Sequence, residues 1–206
     1  MQSVARIGAA TLSCSDGQAT LCDQSCGQCA ACVGGVPTWC DEILPEASSV
    51  VEWPTAGDAS TVLTALACAA AFSRLHVAAD HVVLVLADED FEPLTALLAF
   101  THAGLVLRSS DSRDPRVATE LARLRPTGRA DVVVAPRDVR TAVKAVRKGG
   151  IVCSGTPDGV MVQMPSITEL VQREVAVVGA VDVVGLAVAV GSAALSASFN
   201  RKGTAA

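Results

Sequence analysis

Four cysteines between residues 26 and 40 constrain this chain more than any other feature of its sequence. Cys26, Cys29, Cys32 and Cys40 have the spacing C-x2-C-x2-C-x7-C in the run CGQCAACVGGVPTWC. Such short spacings let several thiolates converge on one ion without a hydrophobic core beneath them. Four thiolates match a closed tetrahedral site for structural zinc. The spacing therefore predicts a structural Zn²⁺ that holds a loop together and leaves no open coordination position.

Three other readings of the quartet remain open, namely a pair of disulfides, an iron–sulfur cluster and a site that no longer binds metal. Bacterial ferredoxins also use C-x2-C-x2-C spacing, but their fourth cysteine follows after three residues and precedes a proline. Here Cys40 follows after seven residues and precedes Asp41. Zinc is the reading that the spacing favours.

The composition limits the partners and the compartment. Half of the 206 residues are hydrophobic but only 3% are aromatic, so the core must consist mainly of Ala, Val and Leu. A formal net charge of −5 without any basic run argues against nucleic acid as a partner. The first residues lack the pattern of a signal peptide, and eight cysteines then predict metal-bound thiols in a reducing compartment, the cytoplasm.

The most apolar stretch, residues 175–195, is not expected to span a membrane. Asp182 lies within it, and a charged residue at the centre of a span costs about 2.5–3.5 kcal/mol on insertion scales. A buried strand followed by a helix is the better prediction.

The chain divides into two parts of different character. Residues 1–58 are rich in Cys, Gly and Ser, and we expect zinc rather than a core to organise them, with 43–60 as an irregular connector. From residue 59 onward, helical patterns alternate with apolar runs such as HVVLVLA and ADVVVAP. This alternation predicts an α/β fold with a doubly wound parallel sheet. One of its helices is predicted over 139–150, with Lys144, Arg147 and Lys148 on one solvated face.

The cysteine spacing, with the segment VARIGAATLSCSDGQATLCDQSCGQCAAC before it, closely resembles the structural zinc lobe of zinc-containing alcohol dehydrogenases, of the medium-chain dehydrogenase/reductase family. The resemblance resumes from about Thr61 to about Val184. It implies that 1–58 is part of a GroES-like domain and that 59–206 is a degenerate Rossmann-like domain. In relatives a late strand at the sheet edge often pairs across a dimer interface. The resemblance thus implies a homo-oligomer, or a hetero-oligomer with an intact paralogue.

A dinucleotide site needs the pattern G-x-G-x-x-G directly after the first strand, so that the backbone can approach the pyrophosphate closely. Ala87, Glu89 and Glu92 occupy the three glycine positions, and Asp88 and Asp90 lie between them. Each carboxylate that lies about 4 Å from a phosphate charge repels it by about 4 kcal/mol at an effective dielectric near 20. A helix N-terminus returns only about 0.3–1 kcal/mol per charge. The pattern predicts that the usual mode of NAD(P) binding is lost.

Two other features bear on this cofactor turn. Ser110, followed by Asp111, stands where the relatives carry the acidic residue that holds the ribose hydroxyls. The acidic residues of the turn also favour a helix N-terminus through capping and the helix dipole. Binding of Mg²⁺ or Ca²⁺ by the clustered carboxylates is a further alternative.

The catalytic zinc site of the relatives has no counterpart in this sequence. Their ligands come largely from upstream of the lobe and include a histidine in a Gly-His-Glu motif, which none of His76, His81 and His102 matches. Each of these histidines is predicted to be a boundary or surface residue. Thr64 stands where many relatives carry a glutamate, and Cys68 is predicted to be a small buried residue.

These departures lead to three functional hypotheses. The first is an alcohol-dehydrogenase-like protein with a structural zinc site that is catalytically impaired and acts as a binding or partner subunit. The second is an NAD(P)-dependent oxidoreductase for an alcohol or carbonyl substrate, with altered cofactor binding or a partner that supplies catalysis. The third is a truncated gene product without a selected role.

Overall fold

Two β-sheets divide the chain, and a buried helix packs between them. The computed structural model describes residues 2–102, 104–160, 162–180 and 182–200. The strands of the first sheet are β1 (Ser3–Ile7), β2 (Ala10–Ser15), β3 (Gln18–Asp23) and β4 (Ser49–Pro54), and this sheet is antiparallel in the order β1-β2-β3-β4. The strands of the second sheet are β5 (Val83–Leu86), β6 (Val106–Ser109), β7 (Ala130–Val134), β8 (Val146–Cys153) and β9 (Ala176–Val178), and this sheet is parallel in the order β6-β5-β7-β8-β9.

The helices follow the same alternation along the chain. They are α1 (Ala30–Val33), α2 (Ala59–Ser73), α3 (Glu92–Thr101), α4 (Pro115–Leu124), α5 (Val139–Ala145), α6 (Ile167–Arg173), α7 (Val183–Val190) and α8 (Ser192–Phe199). Two short 3-10 turns, Pro37–Trp39 and Glu89–Phe91, precede Cys40 and α3.

The antiparallel sheet corrects our expectation for residues 1–58. Leu12, Leu21 and Trp53 are fully buried on one face of it, so these residues form a core of their own besides the cysteine loop. Residues 43–60 are not simply an irregular connector, because they contain β4, which pairs with β3 over its whole length. Sequence reasoning missed these strands because the alternation within each of them is short and its apolar positions are often Ala or Cys.

Tight turns fix the register of this sheet. Asp16 and Gly17 both have positive φ (52° and 78°) and join β2 to β3 in a two-residue hairpin. Gly8 also has positive φ (54°), and a Cβ atom there would lie 1.7 Å from the carbonyl oxygen of Thr38. Only glycine therefore lets the β1–β2 turn approach the segment that ends in Cys40.

The parallel sheet confirms the predicted Rossmann-like, doubly wound arrangement. Its central strands β5 and β7 are buried along their whole length, as their continuous apolar runs predicted. The chain passes from β5 to β6 on one side and then to β7 on the other side of β5. The direction of winding thus reverses beside β5, where the loops after β5, β6 and β7 enclose a crevice.

Helix α5 is shorter than the sequence predicted. It ends at Ala145, and β8 begins at Val146, which pairs with Ala130. Arg147 therefore lies on a strand, where its Nε donates to Asp131 Oδ1 at 2.7 Å. The prediction of a common helix face for Lys144, Arg147 and Lys148 was wrong, because pairing with β7 and the buried carboxylate of Asp131 outweigh helix propensity here.

Helix α2 and the last two helices join the two sheets into one core. Asp58 caps α2 by accepting from the backbone N–H groups of Ser60 and Thr61, and almost all side chains of α2 are buried. Helix α7 packs on α2, and α8 packs on β4, where Phe199 meets Trp53 at 6.2 Å between ring centroids.

The apolar C-terminal stretch forms β9 and then two helices, separated at Gly191. None of the helices in the described residues has the length and apolar character needed to cross a membrane.

Candidate functional site

The four predicted metal ligands lie together in the structure. The Sγ atoms of Cys26, Cys29, Cys32 and Cys40 all lie within 4.8 Å of one another. Cys29 Sγ is 3.6 Å from Cys32 Sγ and 3.8 Å from Cys40 Sγ. Four sulfurs at about 2.3 Å from Zn²⁺ form a tetrahedron with edges of about 3.8 Å. The donor set and its spacing therefore fit zinc, and the four cysteines are not joined by disulfides in this structure.

Backbone N–H groups point at the cysteine sulfurs. Cys26 N lies 3.2 Å from Cys40 Sγ, and Cys29 N lies 3.3 Å from Cys26 Sγ. Hydrogen bonds from the backbone of Cys32 and then of Asp41 lower the pKa of Cys29 to about 6. Desolvation, with hydrogen bonds to Cys40 and Cys29, raises the pKa of Cys32 to about 12. A coordinated cation would deprotonate all four thiols.

We call residues 24–48 the zinc lobe. Its two ends are joined by a bridge between Ser25 and Ile43 and by the bond from Leu44 N to Gln24 O at 2.8 Å. At the far side, Arg74 at the end of α2 donates to Gly35 O at 2.7 Å. The lobe is thereby attached to β3 and to α2.

Two further bonds attach the zinc lobe to the C-terminal part of the chain. The indole Nε1–H of Trp39 donates to Ala180 O at 2.8 Å, and Val183 N lies 3.4 Å from Thr38 Oγ1. Thr38 O also accepts from Ala9 N at 2.9 Å. The residues just before Cys40 thus touch both the first hairpin and the start of α7.

A cleft of about 630 Å³ lies at the carboxyl ends of β5, β6 and β7. Of the predicted cofactor residues, Ala87, Asp88 and Ser110 line this cleft. Glu89, Asp90 and Glu92 are exposed and do not line it. The structure therefore brings one of the four carboxylates of the turn, Asp88, to the wall of the cleft.

Three cations that sequence reasoning did not assign to the site also line the cleft, namely Arg113, Arg137 and Lys144. Arg137 Nη1 is 3.8 Å from Asp88 Oδ2, and its guanidinium lies 4.9 Å from the ring centroid of Phe91. The position of Arg137 three residues after the buried strand β7 was the available signal, because loops at the carboxyl ends of parallel strands bind ligands.

The other acidic residues of the cleft serve the backbone. Asp138 Oδ1 accepts from Thr141 N at 2.8 Å and so caps α5. Asp111 Oδ1 accepts from Arg113 N at 2.8 Å. Ser109 Oγ also donates to Asp111 O, which fixes the loop that carries Ser110. The cleft is therefore a site of mixed charge with a rigid rim.

The residues considered for a catalytic zinc do not come together. Thr64 Oγ1 donates to Ser60 O at 2.7 Å within α2, and Cys68 is buried with its thiol 3.7 Å from Gly155 O. His102 is buried rather than on the surface, and it packs edge-on against Phe72. Within the described residues, the cysteine quartet is the one group of three or more His, Cys, Asp or Glu side chains placed to hold a metal ion.

Solved structures resemble this chain in fold. An acetophenone reductase from Geotrichum candidum in complex with NAD matches 90% of this chain and 65% of its own, at 15% identity and a TM-score of 0.55. An alcohol dehydrogenase from a Thermus species matches 93% of this chain and 73% of its own, at 15% identity and a TM-score of 0.55. The chain has the fold of the zinc-type alcohol dehydrogenases. A thermostable alcohol dehydrogenase from Pyrobaculum aerophilum also matches, at 18% identity over 90% of this chain and 66% of its own, with a TM-score of 0.50.

The alcohol-dehydrogenase fold thus confirms the resemblance drawn from the cysteine spacing, at the level of fold. No family model matches the chain, and no curated protein matches its sequence. The chain spans 65% of the length of the acetophenone reductase.

Proposed function

We propose that this protein is a catalytically impaired member of the alcohol-dehydrogenase fold that holds a structural zinc ion and acts as a binding or partner subunit. The observation that carries the proposal is the turn after β5. There Ala87, Glu89 and Glu92 occupy the positions of the glycines that a dinucleotide site needs, and the chain forms the 3-10 turn Glu89–Phe91.

The shape of this turn supports the loss of the usual cofactor mode. The turn buries Phe91 and places Asp88 in the wall of the cleft. A pyrophosphate at the start of α3 would meet the carboxylate of Asp88 in place of close backbone N–H groups. Glu89 and Asp90 add negative charge beside it, and like charges near a protein surface repel by about 4 kcal/mol at about 4 Å.

The proposal of impaired catalysis rests on the absence of a second metal-binding group among the described residues. Thr64 lies at the position of a glutamate in many relatives, and its hydroxyl donates a hydrogen bond to Ser60 O in the same helix. A neutral hydroxyl in that state is a poor replacement for an anionic ligand.

Zinc in the cysteine quartet would act as a crosslink. Four thiolates fill a tetrahedral coordination sphere, so no position remains for water or substrate. The ion would join Cys40 to Cys26, which follows β3. Cys40 itself follows Thr38 and Trp39, which contact the C-terminal segment. Eight unpaired thiols suit the reducing cytoplasm, where a homo-oligomer or a complex with an intact paralogue would form.

Metal analysis combined with calorimetric titration tests this proposal. We expect about one zinc per chain, no binding of NAD⁺, NADH, NADP⁺ or NADPH, and no turnover of alcohols or carbonyl compounds. Micromolar binding of any dinucleotide, or NAD(P)-dependent turnover, would overturn it.

The cations of the cleft favour a second candidate, an NAD(P)-dependent oxidoreductase with altered cofactor binding. In this candidate, the phosphate oxygens of the cofactor bind Arg113, Arg137 and Lys144 in the cleft instead of the backbone of the acidic turn. This candidate predicts dinucleotide binding that Arg137→Ala weakens about tenfold or more. The same titration therefore separates the two candidates.

A further inference from the structure

We propose that the zinc lobe is a docking surface for a cationic, amphipathic segment of a partner protein. The inference rests on the proposed function as a binding subunit and names the surface and the chemistry of the partner. Three observations support it: the charge of the lobe, its exposed apolar side chains and the fixed position of Trp39.

The charge of the chain is strongly divided along its length. Residues 7–73 contain seven Asp or Glu residues and no Lys, Arg or His, whereas 15 of the 16 Lys and Arg residues follow them. Asp41, Glu42 and Glu46 belong to the zinc lobe and are exposed. Four thiolates around one Zn²⁺ would add a net charge of about −2. The lobe therefore attracts a positively charged partner.

The same small lobe exposes large apolar side chains. Val33 is 77% exposed and Trp39 is 56% exposed, and Ile43 and Leu44 are exposed as well. Val33 follows Cys32, Trp39 precedes Cys40, and Ile43 pairs with Ser25, which precedes Cys26. These exposed side chains therefore belong to residues that adjoin the metal ligands, in sequence or through the Ser25–Ile43 bridge. Exposed apolar side chains beside charged ones are typical of protein interaction sites.

Trp39 is held in place although its ring is exposed. Its indole N–H donates to Ala180 O at 2.8 Å, and its neighbour Thr38 is buried and bonded to Ala9 and Val183. Little side-chain entropy remains to be lost when a partner covers the ring. Fixed tryptophans of this kind are enriched among the residues that dominate binding energy.

These features select one class of partner. Apolar side chains of the partner would cover Trp39 and Ile43, while its Lys or Arg residues would meet Asp41 and Glu42. An acidic segment would be repelled, and a purely basic segment would leave the apolar side chains uncovered. A cationic amphipathic segment satisfies both requirements.

Calorimetric titration of the zinc-loaded full chain with synthetic peptides tests this inference. The probe is a 14-residue amphipathic Lys/Leu peptide, and the controls are Glu/Leu and Lys/Ser peptides of equal length. We expect the Lys/Leu peptide to bind about tenfold or more tightly than either control, and its affinity to fall with added salt. Equal binding of all three peptides would overturn the inference.

Variants locate the binding on the lobe. Trp39→Ala, and separately Asp41→Asn with Glu42→Gln, should each weaken Lys/Leu binding about tenfold. Asp90→Asn with Glu92→Gln removes the same charge at an exposed place outside the lobe and should change little. Trp39→Phe keeps an aromatic ring without the N–H donor, so it tests the surface if Trp39→Ala loses its zinc. Unchanged affinity in all lobe variants would overturn the inference.

Two further readouts distinguish the other outcomes. If sedimentation shows a dimer that dissociates when Asp41→Asn is combined with Glu42→Gln, a second copy of the chain covers the lobe. That result would overturn the proposal of a separate partner protein. Dinucleotide titration of the same samples separates the two proposals. Cofactor turnover together with peptide binding would overturn the proposed function and leave this inference standing. If neither a dinucleotide nor the Lys/Leu peptide binds, this inference is overturned and the proposed function stands.

Discussion

Asp131 lies at the start of β7 and carries a buried negative charge between two guanidinium groups. Arg125 Nε and Arg147 Nε each lie 2.7 Å from one of its carboxylate oxygens, and Val82 N donates to it at 2.8 Å. Desolvation alone would raise the pKa of Asp131, but the hydrogen bonds from Val82, Arg147 and Arg125 outweigh it and lower that pKa. The carboxylate thus joins β7 to β8 and to Val82, the residue that precedes β5.

Replacement of Asp131 by Asn should lower the free energy of unfolding by about 2–4 kcal/mol, somewhat less than for a fully buried pair because both arginines are partly exposed. Since its pKa is lowered in the folded state, Asp131 stabilises the fold above the unfolded value near 3.9, and this contribution is lost as the pH falls through the folded value. Urea denaturation between pH 7 and pH 3 checks both statements. Glu120→Gln, which breaks an exposed pair with Arg123, should leave the free energy of unfolding nearly unchanged, because water screens this pair.

Gly8 is a second position where a single residue decides the local structure. Gly8→Ala must accept both a positive φ and a Cβ atom 1.7 Å from Thr38 O. Gly128 has a similar φ of 62° with no atom within 4 Å of an added Cβ, so Gly128→Ala should cost about 1 kcal/mol. We expect Gly8→Ala to cost at least about 2 kcal/mol more, measured by thermal denaturation. Equal costs would show that the β1–β2 turn moves away from Thr38 without penalty.

At the scale of elements, the zinc lobe depends on its ends more than on its own secondary structure. Helix α1 has four residues, none of them buried, and the 3-10 turn before Cys40 has three. Such short elements are not stable alone. The contacts of the lobe with Ala9, α2 and the start of α7, together with the predicted metal, therefore hold its shape.

Removal of zinc with a strong chelator should lower the thermal midpoint and increase the exposure of Trp39, because the bond to Ala180 depends on the position of the segment before Cys40. Cys29→Ser should reproduce this effect and lose the metal. Cys22→Ser, a matched change on β3 outside the quartet, should retain about one zinc per chain. Tryptophan quenching and metal analysis provide the two measurements. Full zinc content in Cys29→Ser would contradict the assignment of the ligands.

At the scale of the whole molecule, one apolar cluster runs through both sheets. It contains Leu12 and Trp53 of the antiparallel sheet, Val85 of the parallel sheet, and Leu195 and Phe199 of α8. The division at residue 58 is a prediction from sequence pattern and resemblance, and this shared core favours a single cooperative unit.

Leu195→Ala should therefore lower the stability of both sheets together, by about 2–5 kcal/mol, because Leu195 is fully buried in the shared cluster. Hydrogen exchange of slowly exchanging amides in β2 and in β7 should report the same loss. Val188→Ala, an exposed position on α7, should change either value by less than about 0.5 kcal/mol. Loss confined to β2 would mean that the two parts unfold independently.

The local order of the sequence determined the features that depend on neighbours along the chain. The spacing of Cys26, Cys29, Cys32 and Cys40 predicted the cluster because short loops can bring thiolates together by themselves. The continuous apolar runs of β5 and β7 predicted a parallel sheet because both faces of such strands are buried.

Only the tertiary structure decided the features that depend on residues far apart in the sequence. Strand β4 forms because pairing with β3 and the burial of Trp53 outweigh its weak local pattern. Helix α5 stops at Ala145 because β7 and Asp131 draw Val146 and Arg147 into a strand. The tertiary structure also decided which cations line the cleft and that Trp39 bonds to Ala180. Contacts between residues far apart in the sequence cost loop-closure entropy, and only the completed core offsets that cost.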